Sequence, residues 1–231
     1  MSVLVVGSLN VDLIAYTPHL PKPGETILGS KYEMGCGGKV FKVILVLVLQ
    51  IIKGANQAVQ CAMLGTTTTM IGAVGGDANG AWYLSRLAES GVNGDRVKIV
   101  PNSTTGVAPI TVSTETAENC IVVVPGANLA LTSGDIDVVD MSQASHLVCQ
   151  NEIAPETTAY ALQLAKDKKL TTVYSPAPCP PRDYVRGIAH NIDYLLANQT
   201  EATELSGTLD LEKAAREINA WGASNVIITK G

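Results

Sequence analysis

The chain has no surplus of positive charge, no cysteines at metal-binding spacing and no apolar stretch long enough to cross a bilayer, and each lack removes a class of function. Its 231 residues carry a formal charge of −5, so nothing in the balance points to nucleic acid as a partner. The five cysteines, Cys36, Cys61, Cys120, Cys149 and Cys179, are odd in number and show no C-x-x-C pair. That argues against a disulfide framework or a structural zinc site, and free thiols are expected. His19, His146 and His190 stand apart with no helical or hairpin pairing, which argues against a metal site built on them. The apolar run over 40–52 contains Lys42 and falls well short of the ~20 residues a spanning helix needs. No membrane partner is expected. The opening MSVLVVGSLNVD enters an apolar strand without a charged leader or a small-residue cleavage site, so a cytoplasmic chain is expected. Neither a Walker A pattern nor a G-x-G-x-x-G fingerprint occurs.

What is present is an alternation. Apolar residues make up 46% of the chain, enough for one sizeable core. Short β-rich runs at 3–6, 68–74, 147–150, 171–174, 192–196 and 226–229 are separated by helical spacing at 55–64, 81–89, 155–168, 200–205 and 211–221. Between them, VAPITVS and NCIVVV flank the polar TETAE and read as a hairpin. The pattern predicts an α/β fold over 1–231: a mostly parallel sheet with helices on both faces, and a small separate β-sheet. A parallel strand is covered on both faces, so the apolar strand just before the ITKG end predicts that further covering elements belong to the fold.

Polar clusters fall at the ends of predicted strands, where open α/β sheets bind ligands. GSLNVD offers Asn10 and Asp12, an amide and a carboxylate suited to neighbouring hydroxyls. GGK and GANQ supply backbone N–H groups, an ammonium and the amide of Asn56; CQNE supplies Glu152; ANQTE supplies Asn198 and Glu201. Taken singly, an Asn or Asp after a strand is more often a turn former. Their common position at strand ends is the stronger signal.

These stretches, in order, resemble the ribokinase/PfkB family of sugar kinases. The matching segments are GSLNVD (7–12), PGET (23–26), GGK (37–39) resumed as GANQAV (54–59), GGDANG (75–80), TTGVAPITV (104–112), PGAN (125–128), PAP (176–178), NQTEATELSG (198–207) and VIITKG (226–231). The resemblance covers essentially the whole chain. It implies that the small sheet, with segments near 12–36 and 104–125, is a lid that also pairs two subunits into a homodimer. Asn10, Val11, Asp12, Gly38, Lys39, Gly54, Ala55, Asn56 and Glu152 would bind the sugar, D-ribose. Asn198, Glu201, Thr229, Lys230 and Gly231 would serve ATP and Mg²⁺, the Asn-x-x-Glu unit acting mainly through water. The implied reaction moves the γ-phosphoryl group of ATP to the sugar 5-hydroxyl, with a monovalent cation such as K⁺ as a further requirement and the cytoplasm, with the nucleus second, as its compartment. The family's base is an Asp in Gly-Ala-Gly-Asp, and no such sequence occurs in these 231 residues. Little turnover is therefore expected from this chain, since phosphoryl transfer depends on positioning and charge stabilisation. Ser175 stands where an Asn usually precedes PAP. Other sugar or nucleoside kinases of the family, and a non-catalytic sugar-binding or dimerising module, are the alternatives.

Deleting 40–53 fuses GGK to GANQAV and restores the uninterrupted family motif, so the apolar run reads as an insertion. A Val codon can begin with GT and a Lys codon can end with AG, which makes a translated intron one account of it; a loop expansion is the other, although loops are normally polar. Lys39, contiguous with the two glycines, is taken as the motif lysine, with Lys53 the alternative.

Overall fold

The computed structural model describes residues 1–35 and 54–230. Gly38, Lys39, the run 40–53 and Gly231 lie outside the described residues. The main sheet begins with β1 (Ser2–Val6) and continues with β4 (Thr67–Gly75), β5 (Val92–Val100), β8 (His146–Cys149), β9 (Thr171–Tyr174), β10 (Tyr194–Asn198) and β11 (Asn225–Thr229). Its order is β11-β10-β9-β8-β1-β4-β5, and every pairing is parallel.

Strand alternation sorts β1 onto two cores. Val3 and Val5 pack with Ala55 and Ala58 of α1 (Gly54–Met63) and with Tyr83 and Leu87 of α2 (Ala78–Glu89). Leu4 and Val6 face the opposite way, into a larger cluster that takes in Ile136 of α3 (Ser133–Asp137), Leu162 of α4 (Pro155–Asp167) and Val185 of α5 (Arg182–Ile188). Ala202 of α6 (Gln199–Ser206) and Ile218 of α7 (Leu211–Ala220) belong to that cluster too. The expected doubly covered parallel sheet is what forms, and the reason is the near-continuous apolar content of its central strands.

The chain lays down β1, β4 and β5 in one direction and then β8, β9, β10 and β11 in the other. The reversal falls between β1 and β8, which are hydrogen-bonded neighbours. At such a switch point the loops leaving the two strand ends diverge to opposite faces and open a crevice.

The second sheet is built from β2 (Asn10–Thr17), β3 (Lys31–Gly35), β6 (Gly106–Ser113) and β7 (Asn119–Ile121), in the order β3-β2-β6-β7. The expected hairpin is the β6/β7 pair, but β6 also runs parallel to β2 along Asn10↔Gly106 to Thr17↔Ser113, so the small sheet is mixed. Three strands went unread in the sequence: β5 and β3 lie at sheet edges, are largely half-buried or exposed, and carry polar residues that hide the period, and β2 opens with the polar Asn10 and Asp12, which are buried.

Asp77 joins the two sheets. It caps α2 by accepting from Gly80 N–H (2.8 Å), and it accepts from both Thr105 N–H (2.9 Å) and the Thr105 hydroxyl (2.6 Å) just before β6. Burial pushes its carboxyl up, but the bonds from Thr105 and Gly80 outweigh this and hold it below the ordinary Asp value. The stability it contributes is therefore complete above pH ~4 and is lost as the pH falls through the depressed folded value. Asp77→Ala is expected to lower stability by about 2 kcal/mol at neutral pH. Asp77→Asn should flatten the acid limb of a plot of thermal midpoint against pH.

Tyr174 is fully buried at the end of β9. Among the described residues its hydroxyl finds no hydrogen-bond partner, and burial drives the phenol far above its ordinary pKa. Tyr174→Phe removes a desolvated, unbonded group. It is expected to raise the unfolding free energy by about 1 kcal/mol in a denaturant titration.

Candidate functional site

The crevice between β1 and β8 gathers the polar groups that the sequence had scattered. After Val6 the chain turns through Gly7 and Ser8, and β2 begins at Asn10; after Cys149 the other lip carries Gln150, Asn151 and Glu152. Ser8 and Asn10 both donate to Glu152 Oε2, Asn10 through Nδ2 at 3.3 Å and Ser8 through its hydroxyl at shorter range. These contacts close over sequence separations of 144 and 142 residues. Ser8, Asn10 and Asp12 are buried at 0%, 1% and 2% exposure, so the groups are desolvated and their hydrogen bonds strong.

Helix α1 is seated on the same turn. Ala55 N–H donates to Ser8 O at 3.0 Å, and Gly54 N–H approaches Ser8 Oγ at 3.4 Å. The contact is close enough to require glycine: a Cβ on Gly54 would stand 2.6 Å from Ser8 N and 2.8 Å from the Gly7 carbonyl carbon. Asn56 follows on the first turn of α1. One residue further on, Gln57 accepts from Gln150 Nε2, tying the helix start to the β8 lip.

The faces of β2 divide the remaining predicted residues. Asn10 and Asp12 lie on one face, in register with Gly106 and Ala108, followed by apolar Ile14 and Ile110. Val11 points the other way and is fully buried in the cluster with Val3, Val5 and Leu9. Its side chain is a core group, and Ala55 packs in the same cluster. Of the predicted sugar-side residues, Asn10 and Glu152 meet through a hydrogen bond, Asp12 shares the face of β2 with Asn10, Gly54 and Ala55 seat their backbone on the Ser8 turn, and Asn56 follows on α1. Gly38 and Lys39 are outside the described residues.

The second predicted group sits two strands from β8 and three from β1, about 10–15 Å at the usual interstrand spacing. Asn198 ends β10 in register with Thr229 of β11, and exposed Lys230 follows. Asn198 and Glu201 form a reciprocal capping box at the start of α6: Glu201 N–H donates to Asn198 Oδ1 at 2.8 Å, and Asn198 N–H to Glu201 Oε2 at 2.9 Å. Burial raises the Glu201 carboxyl above its ordinary range; the Asn198 N–H opposes this only in part, and the charge of Glu204 adds to it. A carboxylate held partly desolvated at the positive end of a helix is an oxygen donor suited to a hard cation.

All these groups lie at the carboxyl ends of parallel strands, where open α/β sheets bind ligands. The description "pfkB family carbohydrate kinase" matches residues 1–231. The chain belongs to the pfkB family of carbohydrate kinases. A deoxyribokinase of Salmonella typhi is 34% identical to this kinase over 238 residues, covering 100% of the chain and 72% of the relative. A ribokinase of Mus musculus is 34% identical over 241 residues, covering 100% of the chain and 68% of the relative. The solved ribokinase of Arabidopsis thaliana, complexed with ribose and ATP, superposes with a TM-score of 0.77 at 26% identity, covering 98% of the chain and 70% of its own. The kinase thus has a ribokinase-like fold and belongs to a family of ATP-dependent phosphotransferases.

Two residues that bond to the predicted ones were not read from the sequence. Ser8 stood in the quoted GSLNVD but had no role, and Asn128 stood in PGAN. Asn128 is fully buried and bonds to Leu9 N–H at 2.8 Å, to Pro125 O at 2.9 Å and to Asn10 Oδ1 at 2.8 Å. No local spacing signals a contact made across 118 residues. At the opposite ends of the strands, His146, Thr171, Asp193 and Tyr194 line a groove with Lys166 of α4 and Lys169 just beyond its end.

Proposed function

We propose that this kinase acts on D-ribose, transferring the γ-phosphoryl group of ATP to O5. The observation that carries the reading is the convergence of Asn10 and Glu152 at the β1/β8 switch point, with Asp12 on the same face of β2 as Asn10. An amide donor beside a carboxylate acceptor, with a second carboxylate buried nearby, suits a small polyol whose adjacent hydroxyls each donate and accept. The apolar Ile14 and Ile110 further along that face suit the carbon skeleton. Ribokinase and deoxyribokinase relatives at similar identity favour a pentose and leave its 2-hydroxyl as the variable.

Asn198 and Glu201 would hold Mg²⁺ largely through water, and Thr229 with Lys230 and Gly231 would begin the ATP-binding edge. When bound, the cation would neutralise phosphate charge. A monovalent cation such as K⁺ is part of the reading, with none of these residues assigned to it. The small sheet would serve as the lid and as the pairing surface of a homodimer, a role supported by exposed Tyr32 and Met34 on β3 and exposed residues 121–123 on β7 and just beyond. These residues contain no Gly-Ala-Gly-Asp, so the chain as written is proposed to bind the sugar with little turnover.

Calorimetric titration with D-ribose, 2-deoxy-D-ribose and D-fructose tests the reading, alongside ATP turnover with each. Binding of a pentose in preference to fructose supports it. A chain that folds and binds none of the three removes the sugar assignment.

A further inference from the structure

The amide of Asn128 is oriented by groups that leave it no choice. Leu9 N–H can only donate, so the atom facing it at 2.8 Å is Oδ1. The carbonyl oxygens of Leu9 and Pro125 can only accept, and they face Nδ2 at 3.3 and 2.9 Å. That same Nδ2 meets the side chain of Asn10 at 2.8 Å, so the nearer atom of Asn10 must be its oxygen. Asn10 Nδ2 is then turned to the other side, where it lies 3.3 Å from Glu152 Oε2. Backbone polarity is passed through Asn128 to Asn10, and through Asn10 to the carboxylate.

The space for the pair is made by Gly106, the register partner of Asn10 on β6. A Cβ there would fall 2.0 Å from Asn10 Oδ1 and 2.4 Å from Asn128 Nδ2. Both amides are buried, at 1% and 0% exposure, so neither can exchange its partner for water.

We infer that Asn128 is a positioning residue for the sugar site, fixing the Asn10 amide so that its donor faces Glu152. The pocket then offers a sugar hydroxyl a donor and an acceptor side by side. Were Asn10 reversed, its oxygen would confront the carboxylate, and a hydroxyl bridging the two would meet acceptors only. The inference rests on the sugar-kinase reading above.

The test is a cycle of variants on the whole chain, read as D-ribose affinity by calorimetry: Asn10→Ala, Asn128→Asp and the double variant. Aspartate at 128 keeps the acceptor for Leu9 N–H but donates nothing, so Asn10 turns its NH₂ toward it and away from Glu152. Each single variant is expected to weaken binding about tenfold, and the double variant no more than Asn10→Ala alone. Losses that multiply mean that Asn128 acts on the fold and not through Asn10, and they overturn the inference. If Asn128→Asp does not fold, the unmodified chain carries the test through the side-chain amide resonances of Asn10, identified by their loss in Asn10→Ala. They are expected to move in Glu152→Gln and on addition of D-ribose; resonances indifferent to both overturn the inference. A chain that binds no pentose removes the sugar reading instead, and the response to Glu152→Gln alone then decides the orientation.

Discussion

Glu152→Gln is expected to weaken D-ribose binding by roughly 30- to 100-fold, with a thermal midpoint close to that of the parent. Glutamine has the shape of glutamate, so the packing of the β8 lip is kept. What changes is charge and polarity: Ser8 and Asn10 both point donors at Oε2, and they will hold the amide oxygen of the new residue there. Its NH₂ is then turned toward the ligand, offering a second donor where the parent offers an acceptor. Hydrogen bonds to a charged group contribute about 1.5–3 kcal/mol each, and a sugar hydroxyl that must donate finds nothing to accept its proton. Ser8, buried at 0% exposure, keeps an oxygen acceptor in the variant and is not left unpaired. Glu156→Gln, at an exposed position in the first turn of α4, supplies the control and should leave affinity unchanged. Equal affinity for parent and Glu152→Gln would remove Glu152 from the sugar site.

How far the site could be read in advance depends on the separation at which each interaction is made. The strand at Thr171–Tyr174 and the helix opened by Pro155 stand where the sequence places them, because apolar period, Pro at the first helical turn and a local stop are all short-range signals. The Asn-x-x-Glu unit at 198–201 is legible for the same reason, although it has a second meaning: its three-residue spacing is also that of a capping box. The structure shows the capping role directly, so any cation contact is made by groups already committed to the start of α6. Strand β2 is the opposite case. NVD after an apolar strand has the look of a turn, yet Asn10 to Thr17 is a continuous strand, because its polar face is turned into a buried crevice and not to water. Ser8 and Asn128 lie beyond local reading altogether. Their partners are 144 and 118 or 119 residues distant, and only the folding of β1 against β8, and of the turn at Gly126–Ala130 against Leu9, brings them together.

The start of α1 is where a single methyl group should do most damage. Gly54→Ala is expected to lower stability by about 3 kcal/mol and, with it, to shift the start of α1 that carries Asn56. The added Cβ would meet Ser8 N at 2.6 Å, Gln150 Oε1 at 2.7 Å and the Gly7 carbonyl carbon at 2.8 Å. Two of these are backbone atoms of the β1–β2 turn, which cannot yield without displacing Leu9 and Asn10 behind it, so the helix must lift instead. Lifting it stretches the Ala55 N–H bond to Ser8 O and pulls Gln57 from Gln150. Overpacking of a closed contact commonly destabilises by ~1–3 kcal/mol, and losing a buried backbone hydrogen bond adds to that. Ribose affinity should fall with stability, because the site is shared between the turn and the helix. Gly187→Ala separates this steric effect from the general consequence of replacing glycine. Gly187 lies within α5, and a Cβ there would have nothing within 4 Å; alanine should stabilise by about 0.5–1 kcal/mol through helix propensity alone. Opposite signs at the two glycines, measured in one denaturant series, would establish that α1 is seated against the turn. A Gly54→Ala variant as stable as the parent would mean that the helix start and the β1–β2 turn are not in contact, and the seating of α1 on Ser8 would have to be abandoned.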